Sequence, residues 1–453
     1  MFEKTKGSRW QAARYFGVSQ LALAIAAPTS GVVLAQETDS SAVIEEVTVT
    51  ARRRDESLAD VPIAVSAINT DDLSSRQVKT DADLQYAVPG LTIRQTQGNN
   101  SLTYSIRGQS ADTFSGSPSA VVAYLNDVPL TVSGASTFYD LESIQVLKGP
   151  QGTLFGRNTT GGAVLYTPAK PTNETEGSVT VSAGNLGMRE VEAMINLPLV
   201  EDKVLFRAAF NTLDKDGYID NILTGDEYGE INRDSGRVTL TVRPSYDLEN
   251  ITMYSYSRLE GTNTGASYAY SVYPDGAAAF LFPEAVDYPA VQEELGPYKT
   301  QHPYDADHIG DDQIFTNTTT YDINDSLTLK NIFGYTSGNT DSEQPAFGAP
   351  YPTFVTRNLQ TGKAGNEFDL ESYSNELQLY GAALNRRLDY IVGLYLQRAE
   401  TETLWPQSYF IGTAAEAFAT NHFLIDTDTA AVYTQGTYSL TEKVGVTAGV
   451  RYT

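Results

Sequence analysis

The chain offers few residues that could act in catalysis or bind a metal. Its 453 residues include no Cys and three His, which excludes disulfides, thiolate metal sites and Cys nucleophiles. An acidic stretch at 305–312 begins with the D-x-D spacing of an EF-hand loop, but Thr316 stands where that loop requires Glu. Neither G-x-S-x-G nor H-E-x-x-H occurs. We therefore predict no enzyme activity, no cofactor and no resident metal, and we leave open whether residues 305–312 bind a cation.

A Gly-rich segment is the other candidate for chemistry. Gly156 and Gly161 have the G-x-x-x-x-G spacing of a phosphate-binding loop, but Gly162 and Ala163 stand where such a loop requires Lys and Ser or Thr. Glycine also allows positive φ angles and close approach of two backbones. We therefore interpret the segment as a series of turns within a compact domain, and not as a phosphate site.

Composition and the first residues indicate export. The net charge of −25 and the pI near 4.4 argue against a nucleic-acid partner, because phosphate binding requires basic patches. Four basic residues before position 15, an apolar run at Leu21–Ala27 and Ala35 before Gln36 form the pattern of a secretory signal peptide. The apolar run is too short for a transmembrane helix. We predict a cleaved signal peptide at 1–35.

Three regions follow the signal peptide. Residues 36–59 are polar and charged, and residues 60–172 have a mixed α/β pattern with short helices expected at Asp71–Leu73 and Asp81–Tyr86. Residues 173–453 instead alternate apolar and polar side chains with period two. The chain therefore divides into a leading segment, a globular domain of ordinary size and a long β-region.

The β-region predicts consecutive antiparallel strands. They lie near 177–184, 189–199, 203–213, 235–246, 249–259, 313–322, 326–337, 372–381, 387–399, 428–439 and 443–453. Tight turns alternate with long connections, which fall at about 214–234, 260–312, 338–371 and 400–427. A soluble β-sandwich would show the same alternation of side chains, but it has no reason to place all long loops at one end. The pattern is typical of an outer-membrane barrel.

The number of predicted strands has a consequence for the end of the chain. Eleven strands are an odd number, and the alternation still continues at Tyr452. An open sheet would expose a row of unpaired backbone groups to lipid. We therefore expect the sequence to be truncated at its C-terminus, and we expect this fragment alone not to form a working barrel.

Five segments of the globular region resemble the plug domain of TonB-dependent outer-membrane receptors. They are Asp60–Ser66, Leu84–Leu91, Ser105–Gly108 with its I-R-G motif, Val122–Pro129, and Ile144–Val164, which reads IQVLKGPQGTLFGRNTTGGAV. The resemblance runs from about residue 44 to 172 and continues more weakly at Ser374–Leu379 and Thr447–Thr453. It implies a transmembrane antiparallel β-barrel of about 22 strands, about 11 of them present at 173–453, with an N-terminal α/β plug at 60–172 inside the lumen.

The leading segment carries a match to the family's TonB box. The matching residues are Glu46, Val47, Thr48, Val49, Thr50 and Ala51. An extended, β-branched peptide without Pro is suited to adding a strand to the sheet edge of another protein. In the family that protein is the inner-membrane energy transducer, TonB. The alternative is that these residues form the first strand of the plug.

Charged residues in the plug motifs could bind the barrel wall. The matched motif residues are Arg107, Gly108, Lys148, Gly149, Pro150, Gly152, Gly156, Gly161 and Gly162. In the family, arginines at the positions of Arg107 and Lys148 pair with inward-facing barrel carboxylates. The candidate carboxylate here is Glu376, and Lys148 cannot offer the bidentate fork of Arg. The alternative is that both cations are simple surface charges.

The resemblance also implies a function and a location. A Gram-negative outer membrane would hold the protein, with membrane lipid and the TonB complex as partners and no nucleic acid. The ligand would be a small molecule, a ferric siderophore or another iron complex. Plant saccharides, aromatic compounds and cobalamin are alternatives, as is a passive porin. The sequence does not identify the residues that contact the ligand.

Overall fold

The computed structural model describes residues 48–50, 52–54, 56–58, 61–95, 102–110, 119–130, 138–262, 271–304, 306–344, 349–441 and 443–453. The predicted signal peptide at 1–35 lies outside these residues. So do Glu46, Val47 and Ala51 of the predicted box segment.

The N-terminal part is a small α/β domain. Its strands are β1 (Thr48–Val49), β2 (Glu56–Ser57), β3 (Ala64–Asn69), β4 (Leu91–Gln95), β5 (Leu102–Ile106), β6 (Val121–Leu125), β7 (Val128–Pro129), β8 (Leu141–Lys148) and β9 (Gly162–Pro168). The central sheet has the order β3-β8-β9-β6-β7, in which β6 and β9 are parallel. Strand β1 pairs with β2, and β4 pairs with β5.

Short helices connect these strands. Helix α1 (Thr70–Ser75) begins where the side chain of Asn69 accepts a hydrogen bond from the backbone N–H of Asp72, which is a regular N-cap. A 3-10 turn at Asp81–Asp83 leads into α2 (Leu84–Ala87), and α3 (Gly152–Phe155) follows β8. The two helical segments predicted from the sequence are therefore present.

The remaining chain forms one antiparallel sheet. Its consecutive strands are β10 (Glu176–Ala183), β11 (Arg189–Val200), β12 (Val204–Lys215), β15 (Ile231–Ser245), β16 (Leu248–Thr262), β18 (Asp307–Asn324), β19 (Leu327–Ser342), β23 (Asn366–Ala383), β24 (Leu388–Tyr409), β25 (Ala417–Thr441) and β26 (Val444–Tyr452). All eleven predicted strands are found in this order. Each pairs with its neighbours in sequence, as expected of an up-and-down barrel wall.

The connections at the end opposite the tight turns contain further elements. These are β13 (Ile219–Asn221), β14 (Glu227–Tyr228), α4 (Ala277–Leu281), a 3-10 turn at Pro283–Val286, α5 (Tyr288–Leu295), β17 (Lys299–Thr300), β20 (Phe354–Val355), β21 (Arg357–Asn358) and β22 (Lys363–Ala364). Several strands are longer than predicted. The sequence placed loops at 400–427 and at 305–312, whereas β24 reaches Tyr409, β25 begins at Ala417 and β18 begins at Asp307.

The sheet wraps around the α/β domain. Inward side chains of the wall are buried and outward ones are exposed, so that Leu205 has 1% of its surface exposed while Phe210 has 45%. The core of the domain includes Ile144, Val146 and Val164, and the inward Met253 and Ile314 of the wall join the same cluster. None of the helices in the described part of the chain has the length and apolar character needed to cross a bilayer.

Candidate functional site

The described part of the predicted box segment is folded onto the plug. Strand β1 pairs with β2, and the side chain of Val49 is completely buried. The backbone N–H of Thr50 donates a hydrogen bond to Oε1 of Gln145 in β8, at 2.9 Å. The segment would therefore have to leave this position in order to pair with the sheet of another protein.

Arg53 joins this segment to both the plug and the barrel wall. Its guanidinium donates to the side chain of Asp127 at 3.0 Å and to the backbone carbonyl of the same residue at 3.1 Å. The other terminal nitrogen lies 3.6 Å from Oε2 of Glu376 on β23. The ring of Phe155 lies 4.3 Å from the guanidinium carbon, within the range of a cation–π interaction. Because only 3% of Arg53 is exposed, these contacts are shielded from solvent screening.

A tight hairpin in the plug positions Asp127. The chain turns between β6 and β7 at Asn126 and Asp127, whose φ angles of 50° and 70° are those of a two-residue type I′ turn. The side chain of Asn126 donates to Thr316 on the wall at 2.9 Å. Lys330, also on the wall, donates to Oδ2 of Asp127 at 2.9 Å. We call the group formed by Arg53, Asp127, Lys330 and Glu376 the Arg53 contact.

The charges of the Arg53 contact stabilise each other against burial. Burial alone would raise the pKa of Asp127, but Lys330 and Arg53 outweigh it and hold that pKa well below its usual range. Burial likewise opposes the charged form of Arg53, but Glu376 and Asp127 raise its pKa above the usual value. Both groups are therefore charged at neutral pH, and the pairing has the good geometry that a buried ion cluster requires.

The partner of Glu376 differs from the one predicted. Glu376 faces inward, as its parity on β23 indicated, but its cation is Arg53 and not Arg107 or Lys148. Glu376 also accepts hydrogen bonds from Gln378, at 2.8 Å, and from the hydroxyl of Tyr433. Arg107 is exposed and Lys148 half-buried. Partial burial and the nearby charge of Arg107 lower the pKa of Lys148. Among the described ion pairs, the cation of Glu376 is Arg53.

The residues on either side of Arg53 strengthen its attachment. Arg52 makes two hydrogen bonds of 2.6 Å to the carboxylate of Glu56 and donates at 2.9 Å to Thr437 on β25. Arg54 pairs with the same carboxylate of Glu56. The Arg52–Arg54 segment is thus fixed by β2 on one side and by the barrel wall on the other.

A second contact joins the plug to other strands of the wall, β12 and β15. Asp140, just before β8, receives hydrogen bonds of 2.9 Å and 2.5 Å from Arg207 on β12, in a bidentate pair. Arg237 on β15 donates to the backbone carbonyl of Tyr139 at 2.9 Å, and its guanidinium carbon lies 4.4 Å from the Tyr139 ring. We call this group, formed by Tyr139, Asp140, Arg207 and Arg237, the Asp140 contact.

The glycine motif shapes the plug around these contacts. Gly156 has a φ angle of +83°, which side chains rarely tolerate. A Cβ on Gly162 would lie 2.1 Å from the carbonyl oxygen of Leu147 on the adjacent strand. These positions therefore require glycine for backbone reasons. Gly149, Pro150, Gly152 and Gly161 line the same turns between β8 and β9.

Two features of the site were not predicted from the sequence. Asp127 and Lys330 were not identified, although the Asn126-Asp127 pair between two β-branched segments is a recognisable turn signal. The whole Asp140 contact was also missed, because Arg207 alternates with apolar residues as any lumen-facing residue would. Within the described residues, no group of three or more His, Cys, Asp or Glu side chains is arranged to hold a metal ion.

Comparison with known proteins identifies the N-terminal domain. Residues 57–163 match the family model described as TonB-dependent Receptor Plug Domain. The pesticin receptor of Yersinia pestis is 26% identical over 186 residues, which cover 40% of this chain and 27% of the relative. The vitamin B12 transporter BtuB of Vibrio vulnificus is 30% identical over 183 residues, covering 38% of this chain and 28% of the relative.

Solved structures show a related fold over most of the chain. The ferric yersiniabactin uptake receptor FyuA of Yersinia pestis matches with a TM-score of 0.70 at 19% identity, over 86% of this chain and 56% of that one. The ferric preacinetobactin receptor BauA of Acinetobacter baumannii matches with a TM-score of 0.66 at 13% identity, over 89% and 59%. The chain thus spans little more than half of these structures. Residues 57–163 are thus a TonB-dependent receptor plug domain, and the described chain as a whole has the fold of these outer-membrane receptor structures.

Proposed function

We propose that the chain is part of an importer that carries an iron complex across the outer membrane, with energy supplied by the TonB complex of the inner membrane. The observation that supports this most is the position of the box segment. The segment leads directly into Arg53, which is bound at once to the plug hairpin and to the barrel wall.

The chemistry of the box suits engagement by strand addition. A short β-branched segment offers backbone N–H and C=O groups to the edge of a partner's sheet. Val49 is buried in the plug, so the transducer engages the segment only after it has been released. Release is therefore the step at which an event on the extracellular side can control access from the periplasm.

A pull on the released segment reaches the Arg53 contact first. Withdrawal of Arg53 removes one of the two cations bound to Asp127 and loosens the hairpin at Asn126 from Thr316 on the wall. The route that opens lies between the plug and the inner face of β18, β19 and β23. The passage is thus opened by breaking a few buried polar contacts, while the strands of the wall stay paired.

An iron complex is the ligand class favoured by the relatives' names. They include the ferrioxamine B receptor of Salmonella typhimurium and the iron-regulated outer membrane virulence protein of Vibrio cholerae. Because the relative BtuB is named a vitamin B12 transporter, cobalamin is the second candidate ligand. A passive porin is disfavoured, since the plug core packs against inward residues of the wall.

Coupling is tested by uptake in cells that carry Val49→Pro. Proline removes the backbone N–H and cannot continue a strand, so we expect labelled ligand to bind the cells normally while its energy-dependent uptake falls at least tenfold. Val49→Ile keeps the strand and is the matched control. Uptake that persists in Val49→Pro, or in a variant lacking Glu46–Ala51, contradicts the coupled model.

The ligand class is tested separately. Cells lacking the gene are compared with their parent for uptake of radioactive iron under iron limitation. We expect lower iron uptake in the knockout, and unchanged iron uptake together with reduced cobalamin uptake would replace the first candidate by the second.

A further inference from the structure

Arg451 on β26 places a second guanidinium beside the Arg53 contact. Its guanidinium carbon lies 5.5 Å from the ring centre of Tyr395 and 5.4 Å from that of Tyr433, within the range of a cation–π interaction. On the plug side, a Cβ on Gly156 would lie 3.0 Å from Nη2 of Arg451. The guanidinium therefore lies between the wall and the plug, where the glycine leaves room for it.

The two rings that contact Arg451 belong to the neighbours of Glu376. Tyr395 is the cross-strand partner of Glu376, and Tyr433 donates its hydroxyl to the carboxylate of Glu376. Tyr433 reaches that carboxylate across β24 because Gly393 lies under its ring, where a Cβ would lie 2.2 Å from Cζ of Tyr433. Arg451 is thus separated by one aromatic ring from the wall carboxylate of the Arg53 contact.

Arg451 has no carboxylate partner in the part of the chain that the structure describes. Its Nε donates a hydrogen bond to Oγ1 of Thr453 at 3.0 Å, and it takes part in none of the described ion pairs. A guanidinium that contacts two rings and a hydroxyl is held less strongly than one in a buried ion pair with good geometry. Arg451 can therefore move toward a carboxylate that loses its cation.

Withdrawal of Arg53 creates such a carboxylate. Glu376 is only 4% exposed, and its cation among the described ion pairs is Arg53. The hydrogen bonds that remain to Glu376 come from neutral groups, and Lys330 is already bound to Asp127. Because a buried charge without a counter-ion is strongly destabilising, the released state needs another cation at Glu376.

We infer that Arg451 is the reserve cation of the Arg53 contact, and that its guanidinium pairs with Glu376 when Arg53 is pulled away. The inference rests on the proposed function, in which the transducer withdraws the segment that carries Arg53. The exchange keeps Glu376 neutralised while the segment leaves, so it lowers the free energy of the released state. It also moves Arg451 away from the backbone at Gly156, which removes one contact between α3 and the wall.

Thiol labelling of a Val49→Cys parent, without ligand or TonB, tests the exchange. Val49 is completely buried and the chain contains no Cys, so labelling reports spontaneous release of the segment. Arg451→Met leaves Glu376 without a cation only in the released state, so we expect labelling to slow at least about fivefold. Arg451→Lys keeps the charge and should label within about twofold of the parent. So should the matched control Arg398→Met, since Arg398 is exposed on β24 and pairs with Glu400.

The Arg53→Met background separates this role from a structural one. There Glu376 already depends on Arg451, whether the segment is bound or released, so Arg451→Met should change the labelling rate less than about twofold. The inference is wrong if Arg451→Met labels as fast as the parent or faster, if Arg451→Lys is equally slow, or if the slowing persists without Arg53. Since no ligand or TonB is present, these outcomes are independent of the coupled import that Val49→Pro tests.

Discussion

The two contacts between plug and wall differ in what remains when one residue is taken away. At the Arg53 contact, removal of the arginine leaves Asp127 bound to Lys330, and it leaves Glu376 bound to Gln378 and Tyr433. At the Asp140 contact, removal of the carboxylate leaves Arg207 without another ion-pair partner among the described residues. Both contacts are buried, but only the first has substitute partners.

The difference suggests which contact can open repeatedly. Breaking a buried pair is costly chiefly because an uncompensated charge stays behind. The Arg53 contact avoids most of this cost, and it lies next to the segment that the transducer would pull. The Asp140 contact lies beside the chain that leads into the wall, where the backbone N–H of Ala169 also donates to the carbonyl of Asp140. We therefore expect the first contact to act as a release point and the second as an anchor.

The largest effect is expected at the anchor. Asp140→Asn keeps the shape of the side chain but leaves the guanidinium of Arg207 uncompensated, which should lower the local unfolding free energy of β8 by about 3–5 kcal/mol. Native-state hydrogen exchange of the β8 amides measures it. A loss below about 1 kcal/mol would remove the distinction between the two contacts.

A change of pH should affect the buried carboxylate of Asp81 and the Arg53 contact in different ranges. Burial raises the pKa of Asp81 to about 6, against hydrogen bonds from Tyr166 and Tyr104 and the charge of Arg233 that lower it. A carboxyl with a raised folded-state pKa stabilises the fold at low pH, and this contribution is lost as pH rises from about 4 to about 6.

The same pH range should leave the Arg53 contact unchanged, because the pKa of Asp127 is lowered and its contribution is lost only as pH falls below about 4. Thermal unfolding should show the plug losing about 2–3 kcal/mol between pH 4 and pH 6.5. Asp81→Asn should abolish this dependence, and a slope that survives in Asp81→Asn would assign it to another group.

A smaller effect is expected at the release point. Arg53→Met should lower the unfolding free energy of the β1–β2 segment by about 2 kcal/mol, less than the loss of an unsupported buried charge. Additional removal of the substitute cation in Arg53→Met/Lys330→Met should cost more than the sum of the single changes. Strict additivity in this double-mutant cycle would show that Lys330 is not a substitute partner.

The smallest effect is expected for an ion pair outside both contacts. Arg76, at the C-cap of α1, lies 3.4 Å from Asp72 within the helix, and their side chains are 53% and 38% exposed. Arg76→Gln should change the stability of the plug by less than about 0.5 kcal/mol, as measured by the same hydrogen-exchange experiment. It therefore serves as the baseline for the other variants, and a large effect there would mean that exposed charges also hold the plug.

The sequence predicted more of the fold than of the candidate site. The order of the strands could be predicted from the alternation of apolar and polar side chains. This alternation persists wherever one face of a strand contacts lipid and the other faces the lumen. The strand ends at Tyr409 and Ala417 were not predicted, because residues such as Glu400, Glu402 and Asp426 extend the strands beyond the membrane, where the outward face is polar and the alternation disappears.

The site depends on contacts between residues far apart in sequence. The inward direction of Glu376 could be read from its neighbours Leu377 and Leu379, but the choice among Arg53, Arg107 and Lys148 could not. That choice is set by how β1 and the turn at Asn126-Asp127 meet the wall, and local patterns carry no information on such tertiary contacts.

The reactivity of a cysteine at position 49 tests the central claim most directly. Val49 is completely buried, so Val49→Cys should react slowly with a thiol reagent supplied from the periplasmic side. Addition of ligand together with the periplasmic domain of TonB should increase the labelling rate at least tenfold when the segment is first released, and then protect it once strand pairing is complete. A labelling rate that is high from the start, or that is unaffected by ligand and TonB, would contradict the account.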